Sequence, residues 1–418
     1  MKKKGHEFVG KVIQLHPTAS QSLHDQWMNQ RVCGDINIGC CNFSSSASSD
    51  NNTNSDDDEA IANTTKNCGI CTNTTLNYNN FSNNNSQMSR NHCPNRTVLG
   101  ILNQNGTFCE YMIIPISNLH VVPDSIGDDI AVFAEPLAAA CRVVEQGFVN
   151  FSYGSKEEEC CLGGGGGASG DGESSGVAHE ERRGGGGDRV AILGDGKLGL
   201  CIAEILGRNY LKAVTNDDDG RGGGGVSPHP PILFGKHQHK LDLVRDSGVD
   251  RRLVKECYTN EDMEKGEISS SRHVNKYDVV IDSTGNPNGL TLAMQLCRPM
   301  GRLVLKSTCA AGVKGFNSAP IVVDELQVVG SRCGPIDVAL DLLANASPPL
   351  RMEKYITETF PLSRVRDALE CAAKKSTMKV QLVMGTEEGD DEEGKESQMY
   401  RAFIGENLSS GERKKVFY

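Results

Sequence analysis

Between residues 189 and 301, short apolar runs alternate with stretches of helical period. Residues 189–193 read as a buried strand. Residues 197–209 read as a helix with Leu198, Ile202 and Ile205 on one face. Residues 231–234 predict a further strand, 240–247 a helix, 277–282 a strand, 290–297 a helix and 301–306 a strand. Strand and helix in repeated alternation predict an α/β domain with a doubly wound parallel sheet over 188–332. The pattern before it is different. Short strands at 8–15, 106–114 and 119–122, separated by turns, predict an irregular β domain over 1–147. Residues 333–384 are mixed in pattern and are expected to pack back onto it. For the apolar run 320–323 core burial is expected ahead of the alternative, a role at an interface.

Five stretches break this pattern. Residues 42–67 and 72–88 are rich in Asn, Ser, Thr and Asp, 152–187 and 216–230 carry runs of glycine, and 385–418 are acidic. None holds enough apolar surface to offset the entropy of ordering, so disorder is predicted for all five, as insertions and an acidic tail. They also explain a hydrophobic content of 38%, low for a packed chain of 418 residues. The net charge of −11 has the same origin: acidic runs at 56–59, 157–159 and 387–396 outweigh it. An acidic chain of this kind argues against a nucleic-acid partner.

No run of 18 apolar residues occurs, which argues against a membrane span. The basic opening is followed by no apolar segment, so no secretory signal is predicted. The 16 cysteines are therefore expected in a reducing, cytoplasmic setting, where metal binding or burial outranks disulfide formation. The Asn-x-Ser/Thr sequons at Asn63 and Asn73 then read as chance matches in Asn-rich sequence.

Candidate chemistry begins at Gly194-Asp-Gly-Lys-Leu-Gly199, a G-x-G-x-x-G that follows a predicted strand and opens a predicted helix. Gly194 permits the tight turn, Gly196 lets a pyrophosphate approach the backbone, and Gly199 lets helix and strand pack closely. Free amides and the helix dipole then favour the anion. The choice of dinucleotide rests on the end of the second strand. If that strand is 212–215, Asp217 is an acid suited to the ribose 2′-hydroxyl of NAD. If it is 231–234, the strand ends in Lys236 and His237, and cations suit the 2′-phosphate of NADP. The helical pattern from Lys240 favours the second alignment, and with it NADP over NAD.

Two metal sites are suggested. Cys40 or Cys41, the Cys68-x-x-Cys71 pair and Cys93 make a four-thiolate set for a closed, structural zinc. A long polar insertion between the first ligand and the pair costs little entropy and need not abolish it. His6 and Glu7 offer a nitrogen and an oxygen donor, both zinc ligands. Glu135 is a carboxylate in the apolar run Phe133-Ala-Glu-Pro-Leu137, where a charge needs a partner.

Taken in order, Gly5-His-Glu-Phe-Val-Gly10, Gly34-Asp-Ile-Asn-Ile-Gly-Cys40, 92–100, 106–111, Phe133-Ala-Glu-Pro-Leu137, the glycine turn, Val280-Ile-Asp-Ser-Thr-Gly285 and Val329-Gly-Ser-Arg332 resemble the zinc-containing medium-chain dehydrogenase/reductase family. The likeness is to its threonine- and sorbitol-dehydrogenase-like branch, along nearly the whole chain outside the polar stretches. The resemblance implies a GroES-like irregular β domain joined to a Rossmann domain, with the active site in the cleft. It implies catalytic zinc at His6, with Glu7 and Glu135 completing or flanking it, and structural zinc at Cys40, Cys68, Cys71 and Cys93. It implies cofactor contacts at Gly194, Gly196, Leu198, Gly199, Lys236, His237, Thr284 and Arg332. The implied reaction interconverts a small alcohol and its carbonyl, with hydride passing to NADP or NAD, and the implied assembly is a homo-oligomer. The family's first catalytic ligand, a Cys upstream of Gly-His-Glu, has no counterpart here, so an N-terminally truncated form is expected. The alternative is a catalytically silent, NAD(P)-binding relic.

Overall fold

A computed structural model describes residues 4–40, 90–151, 187–215, 229–245, 257–258, 273–309, 317–384 and 400–404. The polar stretches 42–67 and 72–88, most of 152–187 and 216–230, and most of 385–418 lie outside the described residues, as do Cys68, Cys71 and Asp217.

Strands β1 (Phe8–Lys11), β2 (Arg31–Gly34), β3 (Asn37–Ile38), β4 (Thr97–Val98) and β5 (Leu119–Val121) open the chain, followed by helix α1 (Ala134–Glu145). Next come β6 (Val190–Leu193), α2 (Lys197–Thr215), β7 (Ile232–Phe234), α3 (Gln238–Arg245), β8 (Cys257–Tyr258), β9 (Tyr277–Asp282), α4 (Pro287–Leu296), β10 (Cys297–Leu305) and β11 (Gln327–Gly330). Helix α5 (Ile336–Asn345) and strands β12 (Ile356–Pro361), β13 (Lys379–Met384) and β14 (Tyr400–Ile404) complete the described elements needed here.

The second group forms a six-stranded sheet in the order β11-β10-β9-β6-β7-β8, with every pairing parallel. In chain order from β6 this is 3-2-1-4-5-6 read from β8. Its direction reverses between β6 and β9, and in open sheets of this kind ligands bind outside the carboxyl ends of the strands at such a point. The alternation of strands and helices predicted this domain well. Helix α2 is longer than predicted and runs through 212–215, so the second strand is β7 and the competing alignment at 212–215 is lost. Residues 201–207 of α2 are buried without interruption, because the helix lies between the sheet and α1. The alanines of α1 permit that close approach.

The other six-stranded sheet, in the order β12-β13-β14-β1-β2-β5, joins the N-terminal strands to residues after 355. β12 and β13 are parallel, and the remaining pairs are antiparallel. A strand at Tyr400–Ile404 departs from the disorder expected for 385–418. It occupies the ladder between β1 and β13, where backbone donors and acceptors on both sides need partners.

Two further expectations are corrected. Residues 106–114 form no strand, because the amides of Thr107 and Phe108 donate to the carbonyls of Gly5 and Lys4 at 3.1 and 2.9 Å and wrap the segment around the N-terminal residues. The run 320–323 is not core: Val322 and Val323 are 72% and 77% exposed on a short helix.

Inside α2, Glu204 is nearly inaccessible. It accepts from Lys354 Nζ at 2.5 Å and the Tyr355 hydroxyl at 3.3 Å, and Arg208 Nε lies at 3.9 Å. This cluster pins α2 to the segment leading into β12. Truncating Glu204 strands two cations beside a buried phenol. Glu204→Ala is expected to cost about 3 kcal/mol of unfolding free energy, measured by urea denaturation.

Candidate functional site

Gly194 ends β6 with φ of +115°, a conformation that favours glycine. Its amide donates to the carbonyl of Phe234 at the end of β7 (2.8 Å), and it packs on Ser283 at the end of β9. The turn therefore sits at the point where the strand order reverses. A Cβ on Gly199 would lie 2.0 Å from the Gly194 carbonyl, so helix and strand approach as closely as glycine permits. A Cβ on Gly196 would meet nothing within 4 Å. That open space above the turn is the cradle a pyrophosphate needs.

The remaining residues expected at a cofactor divide. Thr284 caps the end of β9, its amide and hydroxyl both donating to Asp282 Oδ1 at 2.9 and 2.7 Å. Leu198 packs on the core. Lys236 is exposed and His237 half-buried just past β7, and an acid that the linear pattern did not reveal, Asp195, stands beside them. Arg332 reaches away from the turn, donating to Asn37 Oδ1 at 2.7 Å and to the Asn91 carbonyl at 3.3 Å.

His6, Glu7 and Glu135 converge from β1's approach and the first turn of α1. A ligand atom from each lies within 4.8 Å of the others. Glu7, however, is clasped. Lys197 Nζ donates to its Oε1 at 2.7 Å and Lys379 Nζ to its Oε2 at 2.8 Å. Burial would raise its carboxyl, but Lys197 and then Lys379 more than offset this and hold it at about 2. Lys379 is fully buried, 3.8 Å from the ring centroid of Phe133. Burial, opposed by Glu7, brings its ammonium down to about 8. Burial raises the Glu135 carboxyl, with His6 opposing. Glu135 has no hydrogen bond or ion pair to a described residue.

Both lysines were missed in the linear reading. Lys197 stands inside the glycine motif and Lys379 opens the otherwise largely apolar strand β13. A lone cation in such a run is the signal that points to a buried partner. Another buried lysine, Lys306 just past β10, donates to Ser331 Oγ at 2.9 Å and to the Arg332 carbonyl at 2.5 Å, and burial lowers it to about 7.

In the cysteine lobe, Cys40 Sγ and Cys93 Sγ lie 3.6 Å apart. Tetrahedral zinc with Zn–S of about 2.3 Å separates its sulfurs by about 3.8 Å, so the pair fits two corners of such a site. The other two expected corners, Cys68 and Cys71, lie outside the described residues. Cys33 is buried.

Residues 230–346 match the family model described as zinc-binding dehydrogenase. Over that segment the chain is similar to zinc-binding dehydrogenases. It is 25% identical over 288 residues to the starvation-sensing protein RspB of Escherichia coli K12, covering 67% of this chain and 65% of that protein. It is 44% identical to the L-threonine 3-dehydrogenase of Xanthomonas euvesicatoria over 139 residues, 33% of this chain and 28% of that one. The chain thus spans under two thirds of the length of each. The fold is shared with an alcohol dehydrogenase, RspB of Escherichia coli CFT073, solved with NADH: TM-score 0.59, 20% identity, 91% of this chain and 83% of that one. Among the described residues no helix is long and apolar enough to cross a membrane.

The clasp on Glu7 has a pH signature. A carboxyl held at about 2 and ordinarily near 4.5 contributes roughly 3 kcal/mol of stability, fully present above about pH 5 and lost as pH falls toward 2. Urea denaturation at pH 7 and pH 3 should show a smaller acid-induced loss in Glu7→Gln than in the wild type. Equal losses would mean that Glu7 is not held by its lysines.

Proposed function

We propose that the chain is an oxidoreductase that passes hydride between a small alcohol or carbonyl compound and a nicotinamide dinucleotide, NAD or NADP, with zinc at the His6–Glu135 cluster and a second zinc in the cysteine lobe. One observation carries the reading. The 2.7 Å ion pair between Lys197 and Glu7 ties the glycine turn to the only His/Glu cluster of metal-binding geometry among the described residues. A dinucleotide on the turn would lie beside a metal in that cluster, the juxtaposition that hydride transfer needs.

The donors fit zinc in kind. His6 offers nitrogen and Glu135 an unpaired carboxylate, while Glu7 could join only by giving up a lysine. Zinc, when bound, would supply Lewis acidity toward the substrate oxygen. The chain's own residues do the rest. The open side of Gly196 and the amides that open α2 receive the pyrophosphate. The lysine clasp holds Glu7, and with it the turn, in one position. Phe133 and the buried end of α1 exclude water from the carboxylates. A reducing, cytoplasmic setting that keeps the thiols free for metal goes with this reading.

The clasp also favours a second reading, a dinucleotide-binding protein without metal chemistry, since only two donors stand free. Zinc per chain, measured by plasma emission spectrometry, separates the two. About two zinc, one lost in Cys93→Ser and the other in Glu135→Ala, together with alcohol oxidation, is the result expected of the enzyme. A single zinc lost in Cys93→Ser, with dinucleotide binding and no turnover, would install the second reading. Gly196→Val should fold normally, because its Cβ meets open space, yet weaken NADH and NADPH binding at least tenfold by fluorescence titration.

A further inference from the structure

Asp195 is the second residue of the glycine turn, and its side chain, 12% exposed, crosses from the end of β6 to the end of β7. Its Oδ2 accepts the backbone N–H groups of Lys236 and His237, each at 2.6 Å, and lies 2.9 Å from His237 Nδ1. Its Oδ1 takes no hydrogen bond from a described residue. The contact is built in at both ends: a Cβ on Gly235 would lie 2.6 Å from the Cβ of Asp195, so the loop can reach the carboxylate only with glycine there.

In a sheet of this strand order the end of the second strand recognises the adenosine ribose, an acid there holding the 2′-hydroxyl. Strand β7 ends without one. We propose that Asp195 supplies that acid from the glycine turn, and that the site selects a dinucleotide with a free 2′-hydroxyl, NAD(H), against one carrying a 2′-phosphate. This rests on the dinucleotide reading above and reverses the preference that Lys236 and His237 suggest in the linear sequence.

The physical case has two halves. The groups a 2′-phosphate would use are spent, since both loop amides and the His237 ring face Asp195 Oδ2, and among the described residues of this loop Lys236 is left as a cation on the surface. A phosphate entering there would also meet a carboxylate of its own sign at close range, partly shielded from water. A ribose hydroxyl meets neither obstacle and finds Oδ1 as an acceptor.

The test is a fluorescence titration of the full chain with NADH and NADPH. The wild type should bind NADH at least tenfold more tightly, about 1.4 kcal/mol. Asp195→Ser should bring the two to parity or invert them, chiefly by tightening NADPH. A merely structural Asp195 would weaken both dinucleotides together and leave their ratio unchanged, which would overturn the proposal. Wild-type binding of NADPH as tight as that of NADH would overturn it too, while leaving the dinucleotide reading intact. Failure of both to bind the wild type would remove that reading and this one with it. Should Asp195→Ser not fold, Asp195→Asn keeps the shape, removes the charge and carries the same test.

Discussion

A carboxylate taken out of water must find compensating charge, and Glu7 meets that demand twice over. Its two oxygens face two ammonium groups at 2.7 and 2.8 Å, one from the glycine turn and one from β13. Three segments far apart in the chain are thereby held at one point: the approach to β1, the start of α2 and the start of β13, an interior strand of the other sheet. Removing Glu7 would strip the fully buried Lys379 of its carboxylate, which costs far more than the pair contributes. The interaction therefore acts as a constraint on where the two sheets stand.

The candidate chemistry inherits its geometry from that constraint. Glu135 enters on the first turn of α1, whose alanines let it lie flat against α2. His6 is brought in by its neighbour, Glu7. Two carboxylates and two ammonium groups share this pocket with one imidazole, so charge is nearly balanced without a metal. That balance leaves His6 and Glu135 as the donors a cation would find free, and it is why zinc content bears so directly on whether the chain is an enzyme or a binding protein.

The cysteine lobe shows how a long polar insertion is tolerated. Cys40 and Cys93 stand at its two ends, 3.6 Å apart, on a small base that includes β3, β4 and the Asn37–Asn91 hydrogen bond. Closing a longer loop adds little entropy cost, so the thiols can meet whatever the length between them. Arg332 reaches this base from the end of β11 and joins the lobe to the parallel sheet.

The linear pattern determined the parallel sheet, because buried strands and amphipathic helices write their periods directly into apolar spacing. It determined the glycine turn as well, since only glycine adopts that backbone and allows that approach. Donor chemistry and the family resemblance together put forward His6, Glu7, Glu135, Cys40 and Cys93 as candidates. The linear pattern did not reveal what Glu7 faces, because Lys197 and Lys379 are 190 and 372 residues away from it. Nor did it reveal that the acid near Lys236 comes from Asp195, 41 residues earlier. It misplaced 106–114 and 320–323, where short apolar runs look alike whether they pair, turn or face solvent. Local periodicity reports what a segment can bury; which charge meets which is decided only when the chain closes, because electrostatic partners obey distance in space and leave no period in the sequence.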